Sequence, residues 1–505
     1  MSDNRILVLR SGDNVGVALD GLARADQAEA SGTVVTALGP VPSGHKVAIR
    51  DIPAGAAVRK YGQLIGRASG DIRVGEHVHV HNLAMADEER DPAATSGVGS
   101  VAPKRDQTFQ GYRRPDGRWG TRNYIAIVTS VNCSASTARL ISDQFRFGRG
   151  LEGFAHVDGI MALTHDTGCG LVPGSEGAQL TMRTLRGYAD HPNVGGVLVI
   201  GLGCEMLQAK SLVEGLDVAK PVSTMIIQET GGIRATVRAG VKAIEAMLPV
   251  VDQARRETAP ASALVLGLNC GGSDGYSGIT ANPALGYASD QLVALGGTSI
   301  LAETPEVFGA EHLLTARATD PAVAARLLER IDWWREYTRR GGGTLDNNPS
   351  PGNKAGGLTT ILEKSLGAVA KGGSAPLAAV CEYAERVPDH GLVFMDTPGY
   401  DPVSVTGIVA GGATVVVFTT GRGSVLGSKP SPTIKVATNT PMFERMREDM
   451  DINAGAIVDG GATVEQVGEE IFASILAVAS GQQTVSEDLD LGADEFVPWQ
   501  LGAVT

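Results

Sequence analysis

Three histidines at every second position are the first residues of this chain whose type and spacing suggest chemistry. His77, His79 and His81 stand in GEHVHVHN. On a strand, a two-residue period puts their imidazoles on one face and Val78 and Val80 on the other. Converging imidazoles suit a divalent ion; the plain alternative is a solvated strand face. His45, in the turn-like SGHK, is placed to join them. A softer set of ligands comes from cysteine. Cys133, Cys169, Cys204 and Cys270 each follow an apolar run, in IVTSVNC, MALTHDTGC, VLVIGLGC and VLGLNCGG, and His165 lies just before Cys169. These positions read as strand C-termini, where open α/β sheets build their sites. The four thiols either converge there or serve as small buried hydrophobes, since their spacing is not the CxxC of a zinc site. Cys381, in AVCEY, reads as core.

The loops between these runs carry the remaining candidates. CGGSDGYSGITANP offers Ser273, Asp274, Ser277, Thr280 and Asn282 in a Gly-rich setting suited to an anion; a tight strand-to-helix connection would use the same glycines. It is neither a dinucleotide fingerprint nor a Walker loop. NPSPGNKAGG carries Asn353 and Lys354, and FTTGRGS carries Arg422, whose guanidinium suits a bidentate grip on a carboxylate. Solvated loop charges are the alternative for both cations. Glu303 and Glu306, in LAETPE, follow another apparent strand, as ligands, acid–base groups or helix-start residues. Asp401 and Asp451 are similar cases.

Elements must hold these residues in place. Residues 1–88 read as a small β-rich unit, with short apolar runs broken by Gly and Pro. Residues 89–108 read as a polar linker. Beyond them, β-branched runs alternate with helical segments, the pattern of a sheet covered on both faces. The runs at 124–131, 157–164, 194–200, 221–227, 263–268 and 298–301 predict a central α/β domain over 109–358. Those at 375–380, 391–395, 414–418 and 434–437, closed by a helix over 464–479, predict a second α/β domain over 359–505.

Composition narrows the function. The 505 residues include 66 Gly, about twice the usual ~7% share, which implies many tight turns. At 43% hydrophobic the chain buries a proper core. A net charge of -13 argues against a nucleic-acid partner, though a locally basic pocket in an acidic protein still accepts an anion. No apolar run reaches the ~18 residues of a membrane helix, and the first residues lack a signal-peptide pattern. Five cysteines without framework spacing fit a reducing, cytoplasmic setting.

GHKVAIRDI, GEHVHVHN, GLGCE, CGGSDGYSGITANP, NPSPGNKAGG, FTTGRGS and DINAG together resemble the altronate/galactarate dehydratase family, in family order along nearly the whole chain. The resemblance implies an α/β protein with an N-terminal SAF-type β domain and a Rossmann-like C-terminal region. It implies a cytoplasmic hydro-lyase for a small anionic sugar acid, expected to form a homo-oligomer and to use a divalent metal, Fe(II) foremost, with Mn, Mg or Zn as alternatives. The reaction implied is β-elimination to a 2-keto-3-deoxy acid, which needs charge neutralisation at the carboxylate, Lewis-acid help and a tuned base. His45, His79, Asp274, Glu303, Lys354 and Arg422 are the catalytic candidates. Lys46, Ser273, Thr280, Asn282, Asn353 and Lys435 are the substrate-binding ones, and His79, His81, His165, Cys169 and Cys204 the metal ligands. A His-rich centre in the small domain and a thiolate centre in the large part both stay open, and an interface site would reconcile them. A sulfo-lyase acting on 3-sulfolactate and a non-catalytic sugar-acid or metal-binding protein are the alternative functions.

Overall fold

The computed structural model describes residues 5–86, 107–148, 150–214, 220–388 and 390–502. The first part is β-rich over residues 5–86. It holds an antiparallel four-stranded sheet (Ile6–Leu7, Val15–Ala18, Lys46–Ala48, His77–Val78), a hairpin (Gln27–Ala30 with Thr33–Thr36) and a three-stranded sheet (Ala57–Lys60, Gln63–Ala68, Leu83–Ala84). Tyr61 and Gly62 turn between two of these strands with φ of 62° and 74°, the geometry whose twist matches antiparallel strands. The histidine strand is shorter than its pattern predicts. Only His77–Val78 is strand. The chain then turns, and the amides of Asn82 and Leu83 both donate to the His79 carbonyl. The expected linker lies outside the described residues except for residues 107 and 108, and Thr108 already begins a strand.

The continuous β-branched runs that follow form parallel strands. The first four are β1 (Tyr124–Thr129), β2 (Gly159–Leu163), β3 (Val194–Gly201) and β4 (Val222–Ile226), in the order β2-β1-β3-β4. Three helices cover them: α1 (Ala135–Arg146), α2 (Glu176–Ala189) and α3 (Ile233–Val251). Alternate strand residues divide between the faces. Ile125, Ile127, Leu198 and Ile200 pack on α1 and α3, while Ala126, Val128, Val197 and Val199 pack on the α2 side.

The larger sheet has seven parallel strands: β5 (Val265–Cys270), β6 (Thr298–Leu301), β7 (Leu377–Cys381), β8 (Gly391–Met395), β9 (Val415–Thr420), β10 (Thr433–Ala437) and β11 (Ile452–Asn453). Their order is β7-β8-β6-β5-β9-β10-β11. Strands from both sides of residue 358 share this sheet, so the division expected there runs through it. The change of sheet falls instead between Val251 and Val265. The order also differs from the 3-2-1-4-5-6 of Rossmann sheets; the structure shows a parallel α/β sheet. Among the helices packed around it are α4 (Ala281–Ala294), α5 (Ile361–Val369), α6 (Asp401–Ala410) and α7 (Val464–Ala479), with a long helix over Pro321–Arg340 on the edge strand β7. Leu266, Leu268, Val415 and Val417 face α4 and α7. Val393, Val416 and Phe418 face α6, which packs on α2. The direction of winding reverses at β5, which lies between β6 and β9, so the crevice beyond the C-terminal ends of β5 and β9 is where a ligand is expected.

The β-rich part closes onto this crevice through buried charge. The Lys46 ammonium donates to Glu363 Oε1 and Oε2 (3.0 and 2.8 Å) and to the Gly357 carbonyl (2.6 Å), and Lys60 donates to Glu363 Oε1 (3.0 Å). All three side chains are at most 1% exposed. The Thr360 hydroxyl caps α5 by accepting from the Glu363 amide, which fixes the helix start. Gly357, with φ of 102°, lets the backbones meet, since a Cβ there would lie 2.5 Å from the Gly44 carbonyl oxygen. Burial pushes the Glu363 carboxyl up, but the two lysines outweigh it and hold the group at about 2. Because folding lowers the value from 4.5, this stability is complete above about pH 4.5 and lost as the pH falls towards 2. Glu363→Ala leaves two uncompensated buried ammonium groups and should cost about 3–5 kcal/mol. Denaturant unfolding across pH 2–7 checks both expectations, with the variant lacking the glutamate's part of the acid-dependent loss.

Candidate active site

Cys270 ends β5, and the groups around it come from four other segments. The Lys371 ammonium donates to Cys270 Sγ (2.8 Å) and Glu303 Oε2 (2.7 Å). Cys270 Sγ lies 3.8 Å from Glu303 Oε2 and 3.7 Å from Glu306 Oε2. Lys364, on α5, donates to Glu306 Oε1 (2.7 Å) and Asn348 Oδ1 (2.9 Å), and the Asn348 amide donates back to Glu306 (2.9 Å). Lys364 and Lys371 sit about two helical turns apart, so one helix and its end bring both cations to the same place. Glu303 holds a left-handed backbone, φ 72° and ψ 66°, with its amide bound to Thr397 Oγ1. Such strain in a non-glycine residue is characteristic of functional sites.

Burial and neighbouring charge set the protonation of this cluster. Burial pushes the Cys270 thiol up to about 12. It also raises Glu303, whereas Glu306, though buried, is held low by Lys364 and Lys371. Burial, together with the charges of Glu303 and Glu306, raises Asp401 to about 8, so Asp401 carries a proton at neutral pH. Cys270, Glu303 and Glu306 present one sulfur and two carboxylate oxygens within 4.8 Å of one another. That set could hold a metal ion: it fits a divalent cation in donor type and leaves positions open, and Lys371 is the group such an ion would displace.

The histidines form the other wall. His45 Nε2 donates to the Ala355 carbonyl (3.2 Å) and His79 Nε2 to the Lys354 carbonyl (2.9 Å). With Nε2 protonated, His45 Nδ1 must accept from His77 Nε2 (3.0 Å). The lone pairs left over are on Nδ1 of His77 and His79. Burial lowers His45 to about 4, His77 to about 3 and also lowers His79, so these rings are neutral at pH 7. His81 is exposed, with its ring centroid 5.5 Å from that of His77. The loop 348–357 runs from Asn348 in the acidic cluster to Lys354 and Ala355 under the imidazoles. Tyr276 also ties the walls together, through Ser43 Oγ (2.6 Å) and the Leu19 carbonyl (2.5 Å).

Several residues expected to bind or react have structural partners instead. Lys46 is spent in the interdomain ion pair. Asp274 accepts from the Tyr276 and Ser277 amides, the Ser277 and Thr438 hydroxyls and the Asn439 amide group, which makes it a loop organiser. Thr280 donates to the Thr438 carbonyl, Asn282 bridges the Gly367 carbonyl and Thr419, and Asn353 caps a short helix while holding the Ser273 carbonyl. Both ring nitrogens of His165 are engaged, by the Thr129 carbonyl and the Thr167 amide, so it is no free ligand. Lys435 is buried on β10, its ammonium lacking a hydrogen bond among the described residues, and burial lowers its pKa against the pull of Asp451, Asp449 and Glu495. Ser273 lies over Cys270 (3.8 Å). Lys354, half-buried, and Arg422, exposed, form no ion pair among the described residues. Cys169 and Cys204 are exposed, at the ends of a different sheet. Lys364, Lys371 and Asn348 were not among the expected residues. The signal was there in ILEKSLGAVAKGG, where charges are set inside an apolar helix.

Titratable groups gathered at the carboxyl ends of a parallel sheet, with a β domain closing over them, define an α/β enzyme. The comparisons with known proteins narrow the class. Family models match three successive parts: the altronate/galactarate dehydratase SAF domain over residues 4–86, the second domain of D-galactarate dehydratase/altronate hydrolase over 111–252, and the C-terminal part of D-galactarate/altronate dehydratase over 261–504. The galactarate dehydratase (L-threo-forming) of Escherichia coli (strain K12) is 41% identical over 89% of this chain and 88% of its own. The altronate dehydratase of Bacillus subtilis (strain 168) is 36% identical over 95% of each chain. The (2R)-sulfolactate sulfo-lyase subunit beta of Chromohalobacter salexigens is 32% identical over 79% of this chain and 98% of its own. The chain belongs to the altronate/galactarate dehydratase family. It is accordingly a hydro-lyase, a carbon–oxygen lyase, which sets aside the non-catalytic reading.

Thiol reactivity tests the burial of Cys270. In metal-free native protein, iodoacetamide should modify the exposed Cys133, Cys169 and Cys204 and spare the buried Cys270 and Cys381, both held near 12. Peptide mass spectrometry reads the pattern, and rapid labelling of Cys270 would contradict it.

Proposed function

We propose that this chain removes water from a six-carbon sugar acid of the altronate or galactarate type, giving a 2-keto-3-deoxy acid by β-elimination. The observation that carries this reading is the buried Cys270–Glu303–Lys371 cluster at the sheet's reversal point, in a chain whose relatives act, by name, on galactarate and altronate.

The C2 proton of such a substrate is weakly acidic because the adjacent carboxylate is already negative. Arg422 and Lys354 are the cations free to bind that carboxylate and draw off its charge. His79, neutral and with its Nδ1 lone pair free, takes the C2 proton. Asp401, protonated at neutral pH, gives its proton to the departing 3-hydroxyl. Lys364 and Lys371 keep the remaining carboxylates compensated and hold Glu303 and Glu306 in place. A divalent ion held by Cys270, Glu303 and Glu306 would supply Lewis acidity towards the substrate's oxygens. The five unpaired cysteines support a cytoplasmic setting for this chemistry.

The test is a substrate panel on protein purified anaerobically. Altronate, galactarate, shorter aldonates and 3-sulfolactate are offered with Fe(II), Mn(II) or Mg(II), and 2-keto acid and sulfite are measured separately. A 2-keto acid from altronate or galactarate without sulfite is expected; sulfite from 3-sulfolactate alone would make the chain a sulfo-lyase. On the accepted substrate, kcat should fall as the pH rises through about 8, because Asp401 then loses the proton it must donate, and Asp401→Asn should lower kcat about 10²-fold or more.

A further inference from the structure

We infer that Cys133, Cys169 and Cys204 are the three thiolate ligands of a [4Fe–4S] cluster, carried on the smaller sheet and separate from the Cys270 site. The three cysteines follow the C-terminal ends of three neighbouring parallel strands: β1 is flanked by β2 and β3. Adjacent strands lie about 4.8 Å apart, so the loops that bear the three cysteines leave one sheet edge side by side. All three are exposed and unpaired.

The loops that bear them are bound to one another. The Asn132 amide donates to the Thr167 carbonyl (3.0 Å) and the Asn132 side chain to the His165 carbonyl (3.2 Å), which joins the Cys133 and Cys169 loops. The Leu207 amide donates to the Gly168 carbonyl (3.1 Å), which joins the Cys169 and Cys204 loops. Ser130 Oγ donates to Glu205 Oε1 (2.7 Å), which joins the Cys133 and Cys204 loops. Gly168, with φ of 108°, passes so close to β1's exit that a Cβ would lie 2.2 Å from the Ser130 carbonyl oxygen. The buried polar groups at this edge are already used in positioning. Glu205 accepts from Ser130, Leu202 and Gly203, and both nitrogens of His165 are engaged. The thiols are therefore what this edge presents outward on a braced frame.

The arrangement selects the kind of metal centre. A single ion draws its ligand atoms into one tight shell, with Zn–S near ~2.3 Å. Among the described residues, the group of three ligand atoms within 4.8 Å is the Cys270 set, not this one. A cubane holds its cysteine sulfurs further apart, at the corners of a larger body, and is ligated by thiolates. Three thiolates leave one iron for a solvent or substrate oxygen, as the exposure of this edge allows. Gln228, whose amide lies 3.7 Å from Cys204 Sγ, supplies a hydrogen bond to one ligand sulfur.

The test does not depend on activity, so it stands apart from the hydro-lyase reading. The full chain is reconstituted anaerobically with ferric iron, sulfide and dithiothreitol, and iron and acid-labile sulfide are counted. About four irons and four sulfides per chain, with visible charge-transfer absorption, are expected for wild type and for Cys381→Ser. Cys133→Ser, Cys169→Ser and Cys204→Ser should each lose the labile sulfide while keeping the thermal unfolding midpoint of cluster-free wild type. Loading wild type should also protect these three thiols from iodoacetamide, a readout that needs no variant. Iron without labile sulfide, sulfide retained when all three are serine, or unprotected thiols in loaded protein would overturn the assignment.

Discussion

Burying two carboxylates and a thiol at the end of a strand is unfavourable unless cations are buried with them. Water is lost from each charge, and the mutual attraction repays that loss only with close geometry and further hydrogen bonds. Here the compensation comes from one short segment. Lys364 and Lys371, on α5 and just beyond it, meet Glu306 and Glu303 at 2.7 Å each. The neighbouring residue Glu363 faces the other way and binds Lys46 and Lys60 of the β-rich part. The same turn of helix thus balances the reactive cluster and anchors the domain that brings the histidines. Removing either set of charges would unsettle both the site and the closure over it.

That dependence explains what the sequence disclosed and what it concealed. The parallel strands were legible because runs such as Tyr124–Thr129 and Val415–Thr420 are apolar at every position, as a doubly covered sheet requires. Glu303 and the histidines were legible as candidates because their types and spacing suggest chemistry. The ion pair of Lys46 was not legible, because its partner Glu363 lies 317 residues away. Asp274 and Asn353 look like ligand groups in a Gly-rich loop, yet backbone amides and hydroxyls engage them first. His165 has a ligand's residue type, but the backbone holds both its nitrogens. Lys371 went unnoticed because a single lysine in an apolar run has no pattern until the fold places a thiol and a carboxylate beside it. Strands on either side of residue 358 alternate with helices alike, and only their pairing shows that they share a sheet.

The acidic balance of the chain takes on a local meaning. Four lysines, Lys46, Lys60, Lys364 and Lys371, are drawn inward to neutralise three glutamates. Arg422, exposed, and Lys354, half-buried, form no ion pair among the described residues. Glycine also serves where backbones touch across the domain contact, at Gly275 and Gly357 against Gly44. Protonated acid, neutral imidazole and free cation are the three kinds of group that a β-elimination next to a carboxylate requires.

The central claim is that this site takes a proton from C2 of a sugar acid and expels the neighbouring hydroxyl. Turnover of C2-deuterated altronate or galactarate, followed by NMR, tests it directly. A 2-keto-3-deoxy acid whose former C2 deuterium has passed to solvent is expected. Keto acid that carries this deuterium at C3, as a hydride shift from C2 to C3 would leave it, or deuterium lost to solvent without any keto acid, would contradict it.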